Sequence, residues 1–495
     1  MEFAYERIES LPKLAWCARV EGRSDVVTVL HGPGVETRPD FFIEGAWDGP
    51  FEAGEIDQSS VLMGTGGRVH SDHVVFCPPG HTLDRLFHIR RHGRVYLSNS
   101  LPFLLRQAGL SLNLAYRYYL ADLCSVRYGL RSCVSEFPTA EHVSVHIQYH
   151  HNLRLDANLD VSVQEKALPP AFEDFGAYRH YLAGSLRGVC DNAAASGRRV
   201  QYDEMVATLS SGYDATCCAS LAAEAGCKRG VTFRDRQDSG RPVGEALGME
   251  VSELDAGRYR AMTGTPEAEL VSCGEISQIY WAGLEDIVRQ RIVLTGFQGD
   301  RIWGRFVHGL SRDIVRGSPP GAGLAEFRLR VGFVHVPLPF VGCRRELEVH
   351  RITALPEMRP WLLGTRYDRP IPRRIAESMG VPRAAFGQCK KNQATGTIYK
   401  RLSSGSKAAF EEFYRAHRYH QGVLGTLWHN VVFCTKGLWA RVCVMVEQLL
   451  RKVGCDIELP RLPLPKHSYR AGRLSFVVQW GASMVIDRYS GADAK

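Results

Sequence analysis

With 495 residues, 45% of them hydrophobic and 23% charged, the chain falls in the ordinary globular range and has material for two or three domains. A formal charge of +8 and a pI near 8.8 give a mildly basic surface. That surface suits nucleotides or phosphorylated metabolites, although a solvated basic face is the plainer account. Fourteen cysteines are scattered; Cys217 and Cys218 are the only close pair and no C-x-x-C occurs, which argues against a spacing-defined zinc site and for reduced thiols in a cytoplasmic protein. The opening residues, Met1 to Glu6, lack a basic stretch followed by an apolar one, so no secretory leader is expected.

To about residue 155, short apolar or alternating runs separated by Gly, Pro and Asp predict strands, as at Val26 to Leu30, Val74 to Cys77 and Val95 to Leu97. The pattern changes at Leu168-Pro169-Pro170, where a domain boundary is expected, and Phe172 to Ala195 then runs with helical periodicity. Strand and helix alternate after that. Met205 to Leu209, Gly230 to Phe233, Met249 to Leu254 and Ile292 to Thr295 predict strands, and Thr216 to Ala225 and Val243 to Leu247 predict helices. Such alternation implies βαβ units, a parallel sheet and ligands beyond the carboxyl ends of its strands. Past Ser318-Pro319-Pro320-Gly321 the chain becomes Arg-rich, then helical from about Lys407 to Val453, with a surface-wrapping tail at Pro460, Pro463 and Pro465. Within it, Val431 to Leu450 is strongly apolar, but Lys436, Arg441 and Glu447 interrupt it, so a buried or amphipathic helix is expected and no membrane partner. No internal repeat is visible.

Three segments carry chemistry. In Leu209-Ser210-Ser211-Gly212-Tyr213-Asp214-Ala215-Thr216 a strand hands over to a small-residue helix. Small residues let backbone N–H groups approach an anion, hydroxyls add donors, and an acid in such a loop reads as a Mg²⁺ ligand bridging to phosphate. Downstream, Thr295-Gly296-Phe297-Gln298-Gly299-Asp300 places a second acid in a glycine turn after another strand. The third segment is Phe386-Gly387-Gln388-Cys389-Lys390-Lys391, followed by Gly396.

The first run resembles the S-G-G-x-D-S pyrophosphate loop of ATP pyrophosphatases, the superfamily of asparagine synthetase, β-lactam synthetase and GMP synthetase. Ser211 stands where the family has its first Gly, and Ala215 where it has the final Ser. The resemblance extends to the second run, matching a G-x-G-x-D loop at Asp300, and to the third, where the family's phosphate-contacting lysine falls on Lys390 or Lys391. It implies an α/β chain with a β-rich, Ntn-hydrolase-like domain over residues 1–168. Over 169–495 it implies a parallel-sheet ATP-pyrophosphatase domain with a helical C-terminal region. It also implies ATP and Mg²⁺, with Asp214 and Asp300 on the metal and catalytic together with Lys390 and Lys391. Leu209, Ser210, Ser211, Gly212, Tyr213, Thr216, Gly296 and Gly299 would surround the nucleotide; Phe233 joins Leu209 at the base, with Asp238-Ser239-Gly240 nearby.

Gly93 to Pro102 resembles the close of the glutaminase-like domain in the same branch, whose working members use an N-terminal cysteine. Here Glu2 follows Met1 and the first cysteine is Cys17. The implied activity is therefore an AMP-forming carboxylate–amine ligase without its own glutaminase, acting on a small-molecule or peptide acid and an amine or ammonia. Ring closure of the β-lactam or lasso type and a turnover-deficient nucleotide-binding protein are the alternatives. A homo-oligomer or pathway partner is compatible with it. Phe297 replaces the Tyr or Glu of relatives and cannot accept a proton, leaving Glu275, Asp286 or a substrate group as base. No RNA-binding module accompanies the basic half, so no nucleic-acid partner is expected.

Overall fold

Alternating apolar and polar residues leave a strand with one dry face and one wet or helix-covered face, and the first 164 residues follow that rule. The computed structural model describes residues 1–492 except 235–238, 308, 317–322, 366, 390–400, 418–422, 453–458 and 460–471. One sheet has seven strands, in the spatial order Glu2–Arg7, Val26–His31, Trp16–Glu21, Arg94–Ser98, Leu86–Arg91, Ser144–Gln148 and Glu136–Pro138. Its edge pair, Glu2–Arg7 with Val26–His31, is parallel, and the remainder is antiparallel. A second, antiparallel sheet of six strands runs from Val161–Gln164 at one edge to Glu36–Thr37 at the other.

The two sheets pack face to face. Trp16, Ala18 and Val20 meet Phe42, Val74 and Phe76 in a shared core, while Cys17, one residue out of phase, belongs to the layer outside. Helix α1 (Leu101–Ala108) covers that outer face, started by Ser100, whose hydroxyl accepts from the Phe103 N–H at 3.1 Å. Helix α2 (Phe175–Ala193) covers the outer face of the six-stranded sheet. It starts later than the periodicity suggests because Asp174 caps it, accepting from the Ala177 N–H at 2.8 Å. The layers are thus helix, sheet, sheet, helix.

Beyond α2 lies a five-stranded parallel sheet: β1 (Met205–Thr208), β2 (Arg229–Arg234), β3 (Glu250–Asp255), β4 (Ile292–Thr295) and β5 (Val334–Pro337). All its pairings are parallel and its spatial order is β3-β2-β1-β4-β5. Helix α3 (Tyr213–Glu224) follows β1 directly, three residues earlier than the sequence pattern suggests. Val206, Val231 and Val293 pack on one side of this sheet, and Ala207, Ile292 and Leu294 on the other.

The two halves meet through charge as well as apolar contact. Arg328, 1% exposed, forks onto Glu44 at 2.5 and 2.8 Å and reaches Asp84 at 2.9 Å. Downstream, α4 (Ser404–Ala416) and α5 (Val423–Lys452) match the expected helical region, and α6 (Val477–Val485) returns to pack against Ala268–Val271 and α1. The long helix departs from expectation in one respect. Its apolar side chains, Leu424 and Trp428 among them, face solvent. No helix of the described residues is long and apolar enough to cross a membrane. Ser318 to Gly321, Val453, Pro460, Pro463 and Pro465 lie outside the described residues.

Candidate functional site

Strands β1 and β4 are neighbours, yet the chain leaves β1 toward β2 on one side and β4 toward β5 on the other. A parallel sheet opens a crevice at that switch point, past the carboxyl ends of the two strands. The pairing Ala207 with Leu294 brings the two ends level, so both glycine turns emerge side by side. Leu209 holds the first turn to the sheet, its N–H donating to the Val231 carbonyl at 2.7 Å. Within the turn, the Gly212 N–H donates to the Ser210 hydroxyl at 3.1 Å.

The second turn needs its glycines because it touches the first. A Cβ on Gly296 would lie 2.7 Å from the Asp214 carbonyl carbon, and one on Gly299 would lie 2.5 Å from the Asp214 carboxyl carbon. Between them Gln298 takes φ +80, a left-handed conformation that costs a non-glycine residue strain. Leu209, Ser210, Ser211, Gly212, Asp214, Phe233, Gly296 and Asp300 all line one cleft. Its atom-free space, open mouth included, is about 1130 Å³.

Three residues assigned to the nucleotide by motif stand behind the lining instead. Tyr213 is fully buried and accepts from Arg373 at 2.6 Å, because the first turn of α3 points it into the core. The Thr216 hydroxyl lies 2.7 Å from the Gly212 carbonyl and 3.1 Å from that of Ser210, its one hydrogen shared between them, so it braces the loop. Gly299 is buried beneath Asp214. Lys390, Lys391, Gly396 and Asp238 lie outside the described residues, but residues flanking them in sequence are anchored here. The Gly387 N–H donates to the Ser211 carbonyl at 2.8 Å, and Cys389 lines the cleft. The Gly240 N–H donates to the Thr232 hydroxyl at 2.9 Å, and Gly240 leaves room for the Leu209–Ser210 backbone.

The cleft also contains residues that no motif announced. Arg369, with a side chain 6% exposed, donates to Asp214. Burial alone would lower its pKa, but the Asp214 and Asp300 carboxylates outweigh that and hold it above its ordinary value. Tyr367 lies under the Arg369 guanidinium at 5.2 Å, and burial raises its hydroxyl to about 12. Opposite, Phe233 meets Tyr280 edge-on at 4.5 Å, and Trp281 and Phe297 complete an aromatic wall. Glu275 shapes this wall from behind, accepting the Ser277 and Gln278 N–H groups at 2.6 and 2.8 Å, whereas Asp286 pairs with Arg258 on the surface. Below, the Thr295 hydroxyl meets His335 at 2.8 Å; burial pushes that imidazole down to about 3, so it is neutral.

Among the described residues the cleft combines a small, hydroxyl-bearing loop at the start of α3, two carboxylates, a guanidinium and an aromatic wall. Among the described residues no three His, Cys, Asp or Glu side chains gather as a metal cage. Two carboxylates beside an anion loop suit Mg²⁺, which takes few protein ligands and fills its shell with water and phosphate oxygens. In the helix–sheet–sheet–helix half, burial drives the Cys17 thiol far above its ordinary pKa, so it is no thiolate nucleophile. No model of a known protein family matches the chain, and no curated protein matches it.

Proposed function

We propose that the chain is an ATP-dependent, AMP-forming ligase that joins a carboxylate to an amine, with an Ntn-hydrolase-like first half that no longer hydrolyses glutamine. One observation carries the reading: two glycine turns at the switch point of a parallel sheet put Asp214 and Asp300 on one cleft beside a hydroxyl-bearing loop. Asp214 and Asp300 would hold Mg²⁺, which supplies charge neutralisation for the phosphates when bound. Ser210, Ser211 and the N–H groups opening α3 would receive the β- and γ-phosphates. Phe233 and Leu209 would flank the adenine. Arg369 would exchange its bond to Asp214 for phosphate oxygens as the nucleotide enters.

A substrate carboxylate oxygen then attacks the α-phosphorus, the bond to the β-phosphate oxygen breaks, and pyrophosphate leaves. The amine attacks the acyl-adenylate carbon and AMP departs with the C–O bond electrons. Phe297, where the family that the motifs resemble carries an ionisable group, offers no base, so the proton goes to another acceptor.

The test is a screen of carboxylic acids for acid-dependent pyrophosphate release. At least one acid should raise the rate above the ATP-only level, and Asp214→Asn and Asp300→Asn should each lower it at least 100-fold. Full rates in both variants would remove the metal assignment, and product cyclised without added amine would point to ring closure.

A further inference from the structure

Helix α5 turns its apolar side outward. Residues seven apart on a helix fall on nearly one line, and Leu424, Val431, Leu438 and Met445 keep that interval, with Trp428 four residues after the first of them and Leu449 four after the last. All six are exposed, Leu424 at 83% and Trp428 at 69%, whereas His429 and Cys443 on the other side are buried. The line runs for roughly 38 Å at 1.5 Å per residue. Water is a poor solvent for a stripe of that length, and such stripes mark docking surfaces.

Breadth and charge decide what docks. Leu427, Trp439 and Val442 are exposed too, so the apolar arc is wider than the two-position seam of a coiled coil. The sequence of α5 is also dominated by one sign of charge, unlike the alternating charges that align helices of two protein copies. Instead the helix contains Lys436, Arg441, Arg451 and Lys452 against Glu447 alone, and Arg441 is exposed. A long helix with Trp and Leu on one side, an exposed Arg441, a net positive charge and too little hydropathy to span is the pattern of helices that lie in a membrane interface.

We propose that α5 lies flat on an anionic lipid surface, its apolar arc at the boundary of headgroups and acyl chains and Arg441 against lipid phosphates. The inference is independent of the nucleotide chemistry assigned to the cleft. It revises the expectation of no membrane partner: a helix that cannot cross a bilayer can still rest on one.

Co-sedimentation of the full chain with vesicles tests it, using phosphatidylcholine alone against an equal mixture with phosphatidylglycerol. The wild-type chain should partition at least ten-fold more strongly to the anionic vesicles at low salt, with a blue shift of tryptophan emission. The double variant Val431→Glu, Leu438→Glu should lose at least ten-fold of that binding with its thermal melt unchanged, and Arg441→Glu should reduce the anionic preference. Brominated lipid should quench wild-type emission, and Trp428→Phe should diminish the quenching, a readout that needs no charged insertion. Wild-type chain left in the supernatant with both vesicles, or no quenching, overturns the proposal. So does a concentration-dependent dimer, seen by light scattering and broken by the double variant, in a chain that binds no vesicles; that result assigns the arc to a second copy.

Discussion

Two arginines, Arg328 and Arg369, each face two acids from distant parts of the chain, and solvent access separates their roles. Arg328 sits between the halves with Glu44 and Asp84, all three side chains at most 4% exposed, and three N–H donors are committed. Arg369 meets Asp214 and feels Asp300, but Asp214 is 24% exposed on an open cleft. A dehydrated ion pair is a clamp, since any loosening strands charge in a dry place. A pair with one wet partner can exchange that partner for a ligand.

The largest expected effect therefore lies far from the cleft. Arg328→Leu leaves Glu44 and Asp84 buried without their cation and should cost about 3–5 kcal/mol in urea unfolding. Arg369→Leu should cost about 1 kcal/mol, because water reaches Asp214. Equal losses would break the comparison. Replacing Arg328, Glu44 and Asp84 together by apolar residues of similar volume should recover most of the stability.

The seam should also respond to acid. Burial lowers His335 to about 3 and His81 to about 4. Both folded values lie below the unfolded value of about 6.5, so the unfolded chain takes up protons first as pH falls. Their contribution is full above pH 6.5 and diminishes below it, by roughly 2 kcal/mol for each histidine at pH 5. Unfolding at pH 7 and pH 5 measures this, and His335→Gln should shrink the difference by its own share of roughly 2 kcal/mol, leaving that of His81.

Smaller effects should appear at the cleft as binding changes, not unfolding. Arg369→Ala should weaken Mg²⁺-ATP about 10- to 100-fold, as loss of a charge-assisted hydrogen bond does, and Arg369→Lys should recover part of it. Gly299→Ala would push a methyl group against the Asp214 carboxylate, and about ten-fold weaker magnesium dependence is expected in the same titration.

The glycine turns were legible in the sequence because their requirements are local: a strand, small residues and an acid, then a helix. Phase was less so. The motif assigned Tyr213 and Thr216 to the nucleotide, but the first turn of α3 aims both inward, where Arg373 and the loop carbonyls take them. Arg369, Tyr367 and Tyr280 had no signal, since tertiary packing brings them to the cleft from segments 60 to 160 residues away from Asp214 in sequence, by rough count. β5 escaped notice because Val334-His335-Val336-Pro337 is short and interrupted by His and Pro. The apolar period of α5 was readable, but periodicity says only that a helix has two faces, not which one meets the protein.

Calorimetric titration of the chain with ATP, with Mg²⁺ and with the metal chelated, tests the switch-point site most directly. The wild-type chain should bind only with Mg²⁺, and Asp214→Asn and Asp300→Asn should each weaken binding at least 30-fold while thermal melts stay unchanged. Nucleotide binding of wild-type strength in both folded variants would contradict the assignment of the cleft.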